Sequence, residues 1–321
     1  MKPLLIKVFL FFAILLIVAY AADYIVTSGL KKTGDRQGGG NDEFTVWNAI
    51  ISSSIDADLV INGTSRAHKH INPFVLDSVL GVQSYNIGMS GAEFNKQYIR
   101  YMTFEKYCKK PKVIIQEVDY STLSISNERD DRFFPYLFDI DKNLIREQLK
   151  WVNNFYFYVP AVRYSGLNSY IMQGFGEFFH LIHFPDVKVK GFYANDLPWD
   201  GSELSKILLG DSLVSQKQTE AIKLFDSFLS YCKENDIQVV MVFTPEYIKA
   251  TEFVKDKSDV INIYNSFSKK YDIPFFNYST DSLCYDTTYF YNAEHLNRKG
   301  AKLFSLRFAN DIKNLGIIKD K

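Results

Sequence analysis

Apolar residues in this chain fall into short consecutive runs, separated by longer stretches in which they recur every three or four positions. Leu59, Val60 and Ile61, inside Asp58–Asn62, are consecutive and apolar, as expected of a strand covered on both faces. Gln83–Ile87, Lys112–Val118, Gln238–Phe243 and Ile273–Asn277 read the same way. Between them the spacing predicts helices: Asn72-Pro73 opens one through Leu80, with proline at a tolerated first-turn position. Glu93–Cys108, Ser215–Asn235 and Lys257–Tyr271 follow, and a closing helix runs from Arg298 to about Leu315. Strands alternating with helices imply parallel βαβ units and a doubly wound α/β sheet.

Two regions depart from this alternation. Residues 124–213 are dense in aromatics, as in RFFPYLF, WVNNFYFYVP and GFGEFFH, and predict a partly helical insertion. It reads either as a lid or groove over the carboxyl edge of the sheet or as a satellite core. At the N-terminus, Pro3–Ala22 is apolar apart from Lys7 and about the ~20 residues needed to cross a bilayer. A retained anchor and a signal peptide cleaved after Ala19-Tyr20-Ala21 both fit. Either places the remainder on the extracytoplasmic side, periplasmic or extracellular, anchored in the one case and secreted in the other. The organisation is then a membrane or signal segment with its flank over 1–32, a Gly-rich linker over 33–43, and a folded domain over 44–321, opened by a lead-in helix at Phe44–Ile55.

Composition changes this picture little. Of 321 residues, 47% are hydrophobic and 23% charged, and Lys+Arg equals Asp+Glu at 37, so no basic field points to nucleic acid. The 3 cysteines, Cys108, Cys232 and Cys284, match no metal spacing. His180 and His183, with His68 and His70, lack the carboxylates or thiols of a metal site, so no metal is expected.

The candidate chemistry begins where the first strand ends. Gly63 permits a sharp turn, and Thr64, Ser65 and Arg66 stand just past the carboxyl end of the strand, where ligands of open α/β sheets bind. Ser65 reads as a nucleophile or as a helix cap. Far along the chain, His295 lies in the polar loop Tyr278–Asn297, directly before the closing helix, within reach of such a serine. Asn62 and Arg66 flank Ser65; Arg66 reads as binding an anionic group of a substrate or as pairing with a carboxylate under the sheet edge.

Read together, G-T-S-R at 63–66, N-I-G-M-S-G at 86–91 and H-L-N-x-x-G-A at 295–301 resemble the SGNH/GDSL hydrolase superfamily. The closer likeness is to its membrane-anchored, DltD-like and alginate-acetyltransferase-like branch, over roughly 58–121 and 237–315. The resemblance implies a flavodoxin-like three-layer α/β/α fold and acyl-ester chemistry without a cofactor. It makes Ser65 the nucleophile, His295 its base, and the amides of Ser65 and Gly91 the oxyanion hole. It departs from this chain twice. Glu117-Val118-Asp119-Tyr120-Ser121 stands where the family carries Gly-x-Asn-Asp, and Asn292 stands at the position of the acid, three residues before His295. Asn292 then orients the imidazole itself, or Glu294 or Asp286 substitutes as the acid, or the site is degenerate and the protein only binds glycan. The expected substrate is an acylated cell-envelope glycan or polymer. The expected partners are the membrane and, by family likeness alone, a membrane-bound acyltransferase.

Overall fold

The computed structural model describes residues 2–32, 42–182, 189–193, 195–202, 204–205 and 214–318. They form two compact units, Met1–Ile51 with Asn127–Lys188, and Ser52–Ser126 with Val189–Lys321.

The second unit is built on a five-stranded sheet, all of whose pairings are parallel: β1 (Leu59–Asn62), β2 (Ser84–Asn86), β3 (Val113–Glu117), β4 (Gln238–Phe243) and β5 (Phe275–Asn277). Their order, β2-β1-β3-β4-β5, is that of flavodoxin-like sheets, in which connections leave β1 in opposite directions and open a crevice past its carboxyl end. Side chains alternate across the sheet. Leu59, Ile61, Ile115, Val240 and Val242 pack beneath the helices Pro73–Leu80 and Arg298–Asn314. The other face is covered by Phe94–Tyr107, Thr219–Glu234 and Lys257–Tyr271, whose Phe94, Phe225, Phe228 and Tyr264 rings meet edge-on or tilted. The result is the three-layer α/β/α architecture expected, with its strands legible as apolar runs because both faces are buried.

Boundaries differ where side chains compete for backbone. The helix expected at Ser215 begins at Thr219, because Ser215 turns its amide and hydroxyl to Asp256 and the Gln218 amide donates to the Leu123 carbonyl. The lead-in helix spans Asp42–Ile51 and stops before Ser53, which takes φ 55°. Asp42 and Glu43, expected in the linker, are thus helical, while 33–41 lie outside the described residues.

In the first unit the aromatic residues fill a core of their own. Trp47 stacks on Tyr136 at 5.2 Å and meets Phe133 edge-on, while Phe44 packs against Tyr136 and Tyr170. The helix Lys2–Leu30 adds Val26 and Leu30 to the buried residues, and its Asp23 pairs with buried Arg163. From Pro3 to Leu30 it is long and apolar enough to cross a membrane, as an anchor or as a signal sequence. The segment from Val189 onward, expected in the insertion, belongs to the sheet unit instead.

Candidate active site

Gly63 ends β1 with φ 149°, and a Cβ there would stand 2.6 Å from Glu117 Oε2 and 2.8 Å from Ala67 Cβ, so the turn requires glycine. Thr64 takes the cap of the helix Ser65–His70, its Oγ1 accepting from the Arg66 amide at 3.2 Å. Ser65 is therefore released from capping. Its Oγ lies 2.8 Å from His295 Nε2. The Ser65 amide has no partner among the described residues, as is usual in a first helical turn.

His295 is presented by a tight loop. Phe290 and Leu296 form an antiparallel bridge, and Tyr291 donates its amide to the His295 carbonyl. Inside the loop Asn292 Oδ1 accepts the amides of His295 at 2.8 Å and Glu294 at 3.2 Å, and the same oxygen faces His295 Nδ1 at 3.1 Å. These contacts dictate protonation. Two backbone donors require Oδ1 rather than the amide nitrogen at that point, so Nδ1 must carry the proton. Nε2 is then the acceptor, and the Ser65 hydroxyl donates to it. Burial, then the positive charges of Lys69 and Arg66, holds the imidazole well below its ordinary pKa, so it is neutral at neutral pH.

Two further residues fix the loop. His70 Nε2 accepts the Leu296 amide at 3.0 Å, which leaves His70 Nδ1 to donate to Thr244 Oγ1 at 3.0 Å. Its ring stands edge-on to that of His295, while Tyr291 lies parallel to the His295 ring at 5.6 Å. The segment after Val189 runs past the same residues: the amides of Tyr193 and Asp200 donate to the carbonyls of His68 and Tyr291, and Trp199 meets Tyr247 edge-on.

Beneath Ser65 lies a buried charge network that joins the ends of β1, β3 and β4. Glu117 Oε2 accepts both the amide and the hydroxyl of Thr64 at 2.8 Å. Asp119 accepts from Ser121 and Thr122 and lies 3.1 Å from Thr64 Oγ1. Arg66 pairs with Glu246 and stands 3.7 Å from Asp119. Burial and then the neighbouring Asp119 push Glu117 up to about 8, and burial pushes Glu246 up to about 7.

A raised carboxyl makes stability depend on pH in a definite direction. The folded chain keeps a proton on Glu117 that the unfolded chain loses above its ordinary carboxyl range, so this group's contribution falls as pH rises from about 4.5 to about 8. Glu117→Gln fixes the uncharged form and keeps an acceptor for Thr64. Its melting temperature should therefore fall less steeply than that of the wild type between about pH 5 and pH 8.5, with the slope due to Glu246 left in place. Parallel curves for the two proteins would show that Glu117 does not titrate in this window.

The expected site residues are thus distributed unevenly. Ser65, His295 and Asn292 form one hydrogen-bonded series. Gly91 follows Ser90, whose hydroxyl lies 3.2 Å from His68 Nδ1, and the Gly91 amide has no partner among the described residues. Asn62 and Arg66 are buried: Asn62 Nδ2 donates to Gln116 Oε1 at 2.8 Å, and Arg66 pairs with Glu246, the carboxylate partner that one of its two readings expects. Neither alternative acid faces His295. Glu294 is exposed, and Asp286 caps a short turn by accepting the Thr288 amide at 2.9 Å. His68 and His70 are taken up by Ser90, Thr244 and Leu296, and His183 lies outside the described residues. Sequence reading missed the structural parts played by Glu117 and His70, while the helix cap it offered at Thr64-Ser65 falls to Thr64. The only signal was Gln116-Glu117, two polar residues in an otherwise apolar buried strand.

No family profile and no curated protein matches this sequence. Solved structures similar to this chain include the following two. A protein assigned to the lipolytic G-D-S-L family, from Desulfitobacterium hafniense DCB-2, is 12% identical with a TM-score of 0.41, over 78% of this chain and 97% of its own. A protein assigned as an acylhydrolase, from Bacteroides fragilis NCTC 9343, is 10% identical with a TM-score of 0.36, over 79% of this chain and 86% of its own. Both scores are low, and the chemistry of the site rests on its own geometry.

Proposed function

We propose that this protein is a serine-dependent acyl-ester hydrolase or O-acyltransferase of the SGNH type, held in the membrane by its N-terminal helix with the folded units on the extracytoplasmic side. The observation that carries the chemistry is the unbroken series Ser65 Oγ, His295 Nε2, His295 Nδ1, Asn292 Oδ1, at 2.8 and 3.1 Å. Ser65 Oγ attacks the acyl carbonyl while its proton passes to Nε2. The free amides of Ser65 and Gly91 stabilise the tetrahedral oxyanion. As the carbonyl re-forms, His295 returns the proton to the departing alcohol oxygen, leaving an acyl group on Ser65. Water or a sugar hydroxyl, deprotonated by His295, then takes the acyl group and restores the serine. Hydrolysis and transfer differ only in this acceptor, and neither step calls for a cofactor.

The sequence resemblance and the apolar N-terminal helix support an acylated glycan or polymer of the cell envelope as substrate, with a membrane-bound acyltransferase as the partner the resemblance implies. A second reading is a glycan-binding protein with a degenerate site, and it draws on one observation: the group at His295 Nδ1 is the amide of Asn292, which carries no charge. A fluorophosphonate probe separates the two. An activated serine should become labelled, with the adduct mapped to Ser65 and absent from His295→Ala. No adduct on Ser65 at long exposure would favour the binding protein.

A further inference from the structure

The helix Asn168–Phe178 in the first unit is turned inside out relative to a helix of a soluble protein. Its buried positions are Gly174, Gly176 and Glu177, whereas Ile171, Met172 and Phe175 face outward, followed by Phe179 and Leu181. Met172 is 74% exposed, Leu181 71%, and Phe175 and Phe179 47% each. The spacing of 171, 172, 175 and 179 places them on one face. Soluble surfaces rarely gather large apolar side chains in this way, so the face marks an interaction site.

What covers it follows from what lies behind it. The glycine side of this helix packs against the N-terminal helix so closely that a Cβ on Gly29 would stand 1.7 Å from the Gly174 carbonyl, and one on Gly174 2.5 Å from that of Val26. Tyr24 meets Phe178 edge-on, and Lys32 lies over the Phe178 ring. The exposed apolar stretch 3–22 measures about 30 Å at about 1.5 Å per residue, the thickness of a bilayer's hydrocarbon core. Val26 and Gly29 lie four and seven residues beyond it, about 6 and 10 Å, at headgroup level. At the end of the apolar stretch stands Tyr158, exposed like Phe155 one turn before it, accepting through its carbonyl the hydroxyl of Tyr20 and through its own hydroxyl the ammonium of Lys142. Asp23, the first carboxylate after the apolar stretch, is neutralised by Arg163. Aromatic rings with polar tips and a lysine beside them suit a membrane interface.

We propose that the face of Asn168–Phe178 bearing Ile171, Met172 and Phe175, continued by Phe179, seats in the lipid interface of the membrane that the N-terminal helix spans. This inference rests on the anchor reading of that helix. The first unit then holds the membrane at two places, one spanning and one lying in the interface, which fixes its orientation to the bilayer where a single helix would leave it free to rotate.

The test uses the full chain in vesicles of phosphatidylcholine and phosphatidylglycerol, with Cys108→Ser to remove the half-buried thiol. An environment-sensitive fluorophore is attached through Met172→Cys, Phe175→Cys, Leu10→Cys or Lys302→Cys, all exposed positions that leave the core intact. Labels at 172 and 175 should shift to the blue and lose most of their emission to nitroxides at the headgroup or upper acyl chain. The label at 10 should be quenched by mid-chain nitroxides, and that at 302 by neither. Quenching at 10 with none at 172 and 175 would overturn the proposal and leave the anchor standing, and a blue shift there without quenching would assign the face to a protein partner or a second copy. Absence of quenching at 10, 172 and 175 would remove both the anchor and the interfacial seat.

Discussion

Ser65→Ala should abolish turnover of a small ester such as p-nitrophenyl acetate while leaving the fold unchanged. The two halves of that expectation have separate grounds. Ser65 Oγ is the atom hydrogen-bonded to His295, so alanine removes the nucleophile and strands the base. The fold does not need this hydroxyl, because the cap of the following helix is Thr64 and alanine is the best helix former. A complete triad loses about 10⁶ in turnover with its serine, down to a residual rate from the oxyanion hole and binding. Here the wild type starts lower, by the roughly 10- to 100-fold that a missing charge at Asn292 costs, so the fall should be about 10⁴–10⁵. Thermal unfolding and circular dichroism should match the wild type. Equal turnover in the two proteins would remove Ser65 from the mechanism, and a lowered melting temperature would mean that its hydroxyl supports the fold instead.

The parts of this site that could be read from sequence are those built by neighbours in the chain. β1 is legible because burial on both faces makes it uniformly apolar, and Gly63 because the turn cannot hold a Cβ against Glu117. The proximity of Asn292 to His295 is a property of a four-residue turn, closed by two amides on one side-chain oxygen. The buried charges behaved otherwise. Arg66 sits beside Ser65 in sequence, which leaves a substrate anion and a carboxylate under the sheet edge equally open as partners; the carboxylates come from the ends of β3 and β4, at Asp119 and Glu246. Pairings over such separations leave no trace in local pattern or propensity. His70 was legible only as a histidine near other histidines; its part in holding the Leu296 amide depends on chain brought from 226 residues away. The aromatic insertion yielded no clear periodicity because its helices are short, such as Lys142–Gln148 and Phe155–Tyr158, and its packing is ring against ring.

Asn292→Asp should raise ester hydrolysis. In a triad the third member holds the imidazole in one tautomer and stabilises the imidazolium that forms when the serine proton arrives. Asn292 already does the first, since Oδ1 is committed as an acceptor by the amides of Glu294 and His295 and so faces a protonated Nδ1. What it lacks is charge. The exchange of Asp for Asn that costs ~10⁴ in a serine protease acts largely through the wrong tautomer, a penalty this loop avoids, so the gain here should be smaller, roughly 10- to 100-fold. The carboxylate keeps the acceptor for both amides, so the loop should hold its shape. A second signature accompanies the rate. His295 is held well below its ordinary pKa by burial and by Lys69 and Arg66, and a carboxylate at Nδ1 opposes all of these. The acid limb of the kcat/KM profile, set by protonation of His295, should therefore move to higher pH in the variant. Glu294→Gln and Asp286→Asn should change neither rate nor profile, because one side chain is exposed and the other is spent on the Thr288 amide. A strong loss in either carboxylate variant, together with no gain and no shifted limb in Asn292→Asp, would transfer the third position of the triad away from Asn292.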